Sequence, residues 1–192
     1  IGDWVLRTVC AQSKAWQLIG LPPIRIAVNL SVRQFAQKNL TERIKEILIE
    51  TDLDPKYLEL EITENIAMKD DKLSTLQELR NLGITLSIDD FGTQYSSLSY
   101  LKRLPVNKIK VDCSFVQGIS KDPKDEAIIL AMLLIAQRLD LEVIAEGVET
   151  NEQLKFLIEN KCLEIQGFLF YEPLSAERIE ELLANQHNQV IQ

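Results

Sequence analysis

Two adjacent carboxylates, Asp89 and Asp90, close the stretch Ile84-Thr85-Leu86-Ser87-Ile88 and are followed at once by Phe91-Gly92. Ile84, Leu86 and Ile88 alternate with Thr85, Ser87 and Asp89, which predicts a strand with Asp89 on its polar face. Asp90 falls where that strand gives way to a loop, so its side chain can turn into the same space. Carboxylates this close repel by roughly 4 kcal/mol at about 4 Å with an effective dielectric near 20. A shared proton, a basic partner or a divalent cation would offset the repulsion. The structural alternative is that Asp89 satisfies loop backbone and Asp90 forms an Asx-turn. Any metal chemistry must use oxygen donors. His187 is the one histidine, and Cys10, Cys113 and Cys162 are odd in number and widely spaced. That excludes a Cys/His zinc centre and a disulfide framework, suits a reducing compartment, and favours magnesium, manganese or calcium.

The same polarity recurs along the chain. Six apolar stretches each end in a polar residue: Asn29, Glu61, Asp89, Lys110, Glu146 and Gln166. Counting back by two from each stays on one face of its strand. That face reads Arg25, Ala27, Asn29; Glu59, Glu61; Thr85, Ser87, Asp89; Lys108, Lys110; Glu142, Ile144, Glu146; and Glu164, Gln166. The opposite faces are mostly Ile, Leu, Val and Ala, suited to packing beneath helices. A random scatter of polar residues would not keep that phase. Each residue also has a structural reading: Lys110 could neutralise Asp89 or Glu61, Glu146 could bond the next helix start, and Asn29 and Gln166 could satisfy loop backbone. Glu64 follows Glu61 by three residues and lies past the strand, so it reads as an anchor for the loop after Asp90 and not as a ligand. Below the site, Arg25 and Lys108 are expected to contact the inward Glu59, Glu142 and Glu164, because unpaired buried charges are unstable.

The elements that must carry these residues alternate. A helix is expected over Asp3–Ile19, with Asp3 as its N-cap, stopped by Gly20 and Pro22-Pro23. Strands follow at Ile24–Asn29, Tyr57–Ile62, Ile84 to the aspartate pair, Asn107–Val111, Leu141–Ala145 and Leu163–Gln166. Between them, helices are expected from Asn39, with Glu42 completing a capping box, to about Glu50, and through Leu73, Leu76, Leu79 and Leu82 to Gly83. A short helix is expected at Ser97–Lys102, and a longer one after Asp122-Pro123 with its apolar body at Ile128–Leu139. Thr150 with Gln153 forms another capping box, and Ser175 caps a last helix that frays into the polar tail Asn185–Gln192. This rhythm predicts parallel βαβ units in one domain. In a (β/α) barrel the polar face is the interior and its top layer builds the active site. An open doubly wound sheet is the alternative, but no Gly-rich phosphate loop follows a strand.

Composition bounds the rest. The 192 residues are 46% apolar and 26% charged, a globular composition, and no apolar run is long enough to span a membrane. The net charge of −8 argues against binding a nucleic-acid polymer, and an anionic ligand would need bound cations or a local basic group.

At Asn29-Leu30-Ser31, Glu61-Ile62-Thr63-Glu64, Asp89-Asp90-Phe91-Gly92-Thr93, Lys110-Val111-Asp112, Glu146-Gly147-Val148-Glu149-Thr150 and Gln166-Gly167 the chain resembles the EAL domain, the barrel family that hydrolyses cyclic di-GMP. The matches come in the family's order and cover essentially the whole chain. The resemblance implies that Asn29, Glu61, Asp89, Asp90 and Glu146 hold two divalent ions, Mg2+ or Mn2+. Lys110 and Glu146 would be catalytic, Gln166 and Asp112 would bind substrate, and Glu64 and Glu149 would anchor loops. The Glu-Ala-Leu signature itself is absent, and Glu126-Ala127-Ile128 sits at a capped helix start and cannot replace it. Six strands also fall short of the eight strands and ~250 residues of a complete barrel. Residues 1–192 are therefore expected to be the C-terminal major part of one barrel whose first strands precede Ile1. Gln94 stands where the family's loop has a second glycine, and Leu163 where an acidic residue is common.

The resemblance implies metal-assisted hydrolysis of cyclic di-GMP to the linear dinucleotide pGpG, with an upstream sensor, receiver or GGDEF-type domain. It further implies a homodimer through the loop after Asp90, and a cytoplasmic setting, free or as the cytoplasmic part of a membrane-anchored protein. A non-catalytic cyclic-di-GMP receptor is the alternative, distinguished by the count of intact acidic ligands. A barrel metalloenzyme acting on another phosphate ester is a third reading that the fold alone does not exclude. Asp90 and Lys110 are expected to serve the site and not the apolar layer, so that replacing them spares stability.

Overall fold

A computed structural model describes residues 2–67, 69, 72–93 and 98–190, with side chains through Asn185. Ile1, Gln94, Ser97, the side chain of His187 and the last two residues of the tail lie outside the described residues, as does part of the loop expected to carry a dimer contact.

The chain begins with helix α1 (Gly2–Leu18) and strand β1 (Ile26–Asn29). It continues through α2 (Val32–Phe35), α3 (Leu40–Thr51), β2 (Leu58–Thr63), α4 (Glu64–Ala67), α5 (Leu73–Asn81) and β3 (Thr85–Phe91). Then come α6 (Leu98–Leu101), β4 (Lys108–Val111), α7 (Cys113–Gly118), α8 (Pro123–Arg138), β5 (Glu142–Ala145), α9 (Asn151–Glu159), β6 (Glu164–Ile165) and α10 (Ala176–Val190). The six strands are parallel and hydrogen-bonded in chain order, β1-β2-β3-β4-β5-β6. Successive parallel neighbours joined by helical crossovers form an incomplete (β/α) barrel, in which β1 and β6 do not pair with each other.

Alternation in the strands explains the layering. Leu58, Leu60, Ile62, Leu86, Ile88, Ile109 and Val111 are fully buried on the outer side of the sheet, packed beneath the helices with Ile44, Ile47, Leu76, Leu79 and Ile129. Each such side chain contributes about 1.5–3 kcal/mol by leaving water. The inner face carries the polar set, and Glu59, Glu61, Ser87, Lys108 and Lys110 are buried there. Arg25 and Lys108 contact the inward acids as their shared phase requires. Lys108 Nζ lies 2.6 Å from Glu164, 3.3 Å from Glu142 and 3.5 Å from Glu59. Arg25 approaches Glu142 at 3.7 Å and Glu59 at 3.9 Å.

Several local expectations are corrected. Asp3 lies inside the first turn of α1 and pairs with Arg43 at 2.7 Å instead of capping. Asn39 makes no side-chain cap, so the expected box with Glu42 is not formed. A capping box does form between Ser31 and Gln34, which opens the unexpected α2. The last helix does not fray at Asn185 but runs to Val190. Asp122 caps α8, and Thr150 with Gln153 caps α9, as their spacing implies.

Candidate functional site

The aspartate pair does not end its strand; it sits in an irregularity of it. Ser87 and Ile88 pair with Lys108 and Ile109, but Phe91 pairs with Val111, so β3 carries an extra residue against β4. The bulge is completed by Asp90 in the left-handed region, at φ 53°. An inserted residue breaks the strict alternation of faces, and both carboxylates can therefore project toward the barrel mouth. Gly92 follows at φ 97°, where an added Cβ would lie 2.1 Å from Met132 Cε. The Met132 methyl can swing aside, so it is the positive φ that favours glycine here.

Lys110 brings the strand ends together. Its side chain is only 4% exposed, and Nζ lies 2.8 Å from Glu61 Oε1, 2.9 Å from Asp89 Oδ1 and 2.7 Å from Glu146 Oε1. One ammonium from β4 thus joins carboxylates from β2, β3 and the end of β5. Burial pushes the Lys110 pKa down, but the bonds to Glu146, Glu61 and Asp89 outweigh it and hold the group well above its ordinary value. Asp89, Asp90 and Glu146 each offer a carboxylate oxygen, and the three oxygens all lie within 4.8 Å of one another.

The site remains acidic despite the lysine. Glu61, Asp89, Asp90, Asp112 and Glu146 against Lys110 give a formal −5 + 1 = −4. Burial raises the Glu146 pKa; Lys110 opposes that shift, and Asp89 and Glu61 reinforce it. Asp90 is raised by desolvation first, then by the charges of Asp89 and Asp112 and a hydrogen bond with Asp112. Such crowding favours either protons or cations. An all-oxygen donor set with three convergent carboxylates fits hard divalent ions.

The other sequence-derived residues are placed as follows. Asn29 ends β1 directly opposite Glu61 and is exposed. Asp112 caps α7 through Oδ1, which accepts from the Ser114 amide at 2.9 Å and from the Ser114 hydroxyl. Glu64 is buried at the start of α4, and its Oε2 accepts from the Gly92 amide at 3.3 Å. Glu149 presents its backbone N–H to Gln153 Oε1 at 2.8 Å, while its exposed carboxylate makes no hydrogen bond or ion pair among the described residues. Gln166 lies exposed just past β6 and is held by its backbone, donating to Ala145 O and accepting from Val148 N. Lys110 proves to be so buried among three carboxylates that sparing stability on its replacement is no longer the expectation.

Sequence reasoning gave no role to Gly147 and Gly167. A Cβ on Gly147, at φ 72°, would lie 2.5 Å from Cys113 Cβ; one on Gly167 would lie 2.0 Å from Val148 O. The two glycines let the loop carrying Glu146 pass between the start of α7 and the end of β6. The available signal was position alone: each follows directly on a polar strand-end residue.

Comparison with known proteins gives a consistent result. The family model described as EAL domain matches residues 1–173. The cyclic di-GMP phosphodiesterase NbdA of Pseudomonas aeruginosa is 44% identical over 185 residues, which is 95% of this chain and 24% of NbdA. The chain spans about a quarter of the length of the curated relatives it matches. Among solved structures, the PaMucR phosphodiesterase in its c-di-GMP complex superposes with a TM-score of 0.89 at 43% identity, covering 93% of this chain and 73% of that one. The manganese/cy-diGMP complex of Klebsiella pneumoniae BlrP1 gives a TM-score of 0.76 at 31% identity, covering 85% of this chain and 42% of that one.

Proposed function

We propose, from the premise that this chain belongs to the EAL domain family, that it is the C-terminal major part of a barrel that hydrolyses cyclic di-GMP to pGpG. The observation that carries the reading is the convergence on Lys110 of carboxylates from three elements, with Asp90 beside them. A receptor that had lost catalysis would have no need to keep that acidic set.

Asp89, Asp90 and Glu146, with Glu61 and Asn29 on the adjoining strands, would hold two divalent ions, Mg2+ or Mn2+. When bound, such ions lower the pKa of water and neutralise phosphate charge. The protein's own groups do the rest. Lys110, whose three donors are engaged here by Glu61, Asp89 and Glu146, would turn one of them to the attacking water and to the charge on the phosphorane oxygens. Glu146 would help hold the ions or take up the water's proton. Gln166 and Asp112 contact the dinucleotide, and Glu64 holds the turn after Asp90 through the Gly92 amide.

The wider setting belongs to the same proposal. A relative such as MucR is described as a bifunctional diguanylate cyclase/cyclic di-GMP phosphodiesterase, which supports a further GGDEF-type or sensory domain in a larger signalling protein; a homodimer through the loop after Asp90 is part of the same proposal. No helix among the described residues is long and apolar enough to cross a membrane. With three free cysteines, two of them buried, we place the domain in the reducing cytoplasm. The deciding experiment is turnover of cyclic di-GMP by the complete protein with Mn2+ or Mg2+, with product identified as pGpG. Tight binding with no cleavage would favour the receptor instead.

A further inference from the structure

The lower layer of the barrel interior repeats the pattern of the site. Lys108, two residues before Lys110 on β4, is buried and joins carboxylates from three other strands: Glu59 on β2, Glu142 on β5 and Glu164 on β6. Three of the four residues in this layer stand two positions below a site residue: Glu59 below Glu61, Lys108 below Lys110, and Glu164 below Gln166. Two residues of strand separate the layers by about 6.6 Å, too far for Lys108 to touch the reacting groups. Arg25 closes the layer from β1 through Glu59 and Glu142.

Parallel strands fix their neighbours by backbone bonds, but those bonds do not connect β2 or β6 to β4, which are not adjacent to it. Lys108 makes those connections across the interior. Burial alone would disfavour its charge, yet the bonds to its acidic partners raise its pKa, so the ammonium persists. Glu59 is also buried, and one of its oxygens lacks a hydrogen bond among the described residues. Lys108 at 3.5 Å and Arg25 at 3.9 Å are the basic groups that face it.

We propose that Lys108 is a positioning residue: its ammonium ties β2, β5 and β6 to β4 beneath the mouth and so sets the distances at which Lys110 meets Glu61 and Glu146. The proposal rests on the phosphodiesterase reading only for its kinetic consequence.

The test uses the protein with all its barrel strands and three variants: Lys108→Met, the double change Glu59→Gln/Lys108→Met, which removes the stranded carboxylate, and Glu164→Gln. Melting temperature, kcat and KM for cyclic di-GMP, and crystal-structure distances around Lys110 are read for each. Lys108→Met should lower both melting temperature and kcat. The double variant should regain most of the melting temperature yet keep a loss in kcat of about tenfold, with KM within about threefold. In it, Lys110 Nζ should leave hydrogen-bond distance of Glu61 or Glu146. Glu164→Gln, which keeps Lys108 but removes the charge of its nearest carboxylate at 2.6 Å, should lower kcat by about threefold. Unchanged Lys110 distances and a kcat within about twofold in the double variant and in Glu164→Gln would overturn the proposal and leave Lys108 a stabilising residue. If the parent protein does not cleave cyclic di-GMP, the phosphodiesterase reading fails and the Lys110 distances alone decide the role of Lys108.

Discussion

Gly167 passes so close to Val148 that a Cβ built on it would stand 2.0 Å from the Val148 carbonyl oxygen and 2.3 Å from its nitrogen. The two segments are clasped there: the Val148 amide donates to Gln166 O at 3.1 Å, and the Leu169 amide donates to Val148 O at 3.0 Å. Glu146 stands two residues before the clasp, so the glycine governs a carboxylate it never touches.

Gly167→Ala is therefore expected to push the loop of Glu146 away from Lys110. Overpacking against backbone, which cannot rotate aside, costs about 1–3 kcal/mol. Thermal unfolding should show that loss, and turnover per folded molecule should fall with it. A variant with full stability and full activity would show that the backbone accommodates the methyl group.

Asp90→Asn isolates charge from shape. Asparagine tolerates the left-handed conformation that Asp90 adopts, so the bulge should survive. Stability should change by no more than about 0.5 kcal/mol at this exposed position. Turnover should drop by more than the roughly 10–100-fold that losing an outer partner costs a metal site. Lys110→Ala should also abolish turnover, but with a loss of about 3–5 kcal/mol, because it leaves buried carboxylates facing one another. Denaturant titrations on both variants separate the two outcomes.

How much of this was legible from the residues alone follows from what each signal encodes. Alternation placed Glu61, Asp89, Lys110 and Glu146 on one face, because a period of two holds along a strand up to its first irregularity. It could not show the bulge at Asp89 and Asp90, since an inserted residue is a matter of pairing with β4 and leaves no mark in hydropathy. The short helices α2, α4 and α7 were missed, since four to six residues display little of a helical period, although the equally short α6 was expected. Asp112 as cap of α7 was readable from Asp112-Cys113-Ser114 only in retrospect. β6 is two residues long where four were expected: only Glu164 and Ile165 pair with β5, and Leu163 is 77% exposed.

The pH dependence of the ion-free protein has a definite sign. Glu146 has a folded pKa raised above its ordinary 4.5, mainly by burial. A raised carboxyl means that the folded state binds more protons than the unfolded one just above that value. Its contribution is full below pH 4.5 and declines as the pH rises through the folded pKa. Glu146→Gln removes this decline, so its melting temperature should gain on the parent as the pH is raised from 4.5 toward neutrality. Saturating Mn2+ should raise the melting temperature of the parent more than that of the variant at neutral pH, because the cation binds more tightly to the protein that keeps the carboxylate. A constant difference across that range, in chelator, would show that Glu146 titrates normally.

The open sheet sets the last prediction. β1 and β6 are the two ends of the strand order, so each leaves one edge without a strand partner among the described residues. Unpaired edges are templates for association with another chain. Asn29 and Gln166, at the mouth beside those edges, are both exposed. If upstream strands close the barrel here, they cover both edges and complete the wall of the mouth beside Glu61. Residues 1–192 alone are then expected to bind Mn2+ weakly, to turn over cyclic di-GMP negligibly, and to associate through the open edges in a concentration-dependent way. The same residues joined to their upstream strands should be active with Mn2+ or Mg2+. Side-by-side turnover assays, with sedimentation of the shorter form, decide the matter. Equal metal-dependent activity in the two forms would mean that the carboxylates gathered around Lys110 suffice and that closure adds nothing to the chemistry.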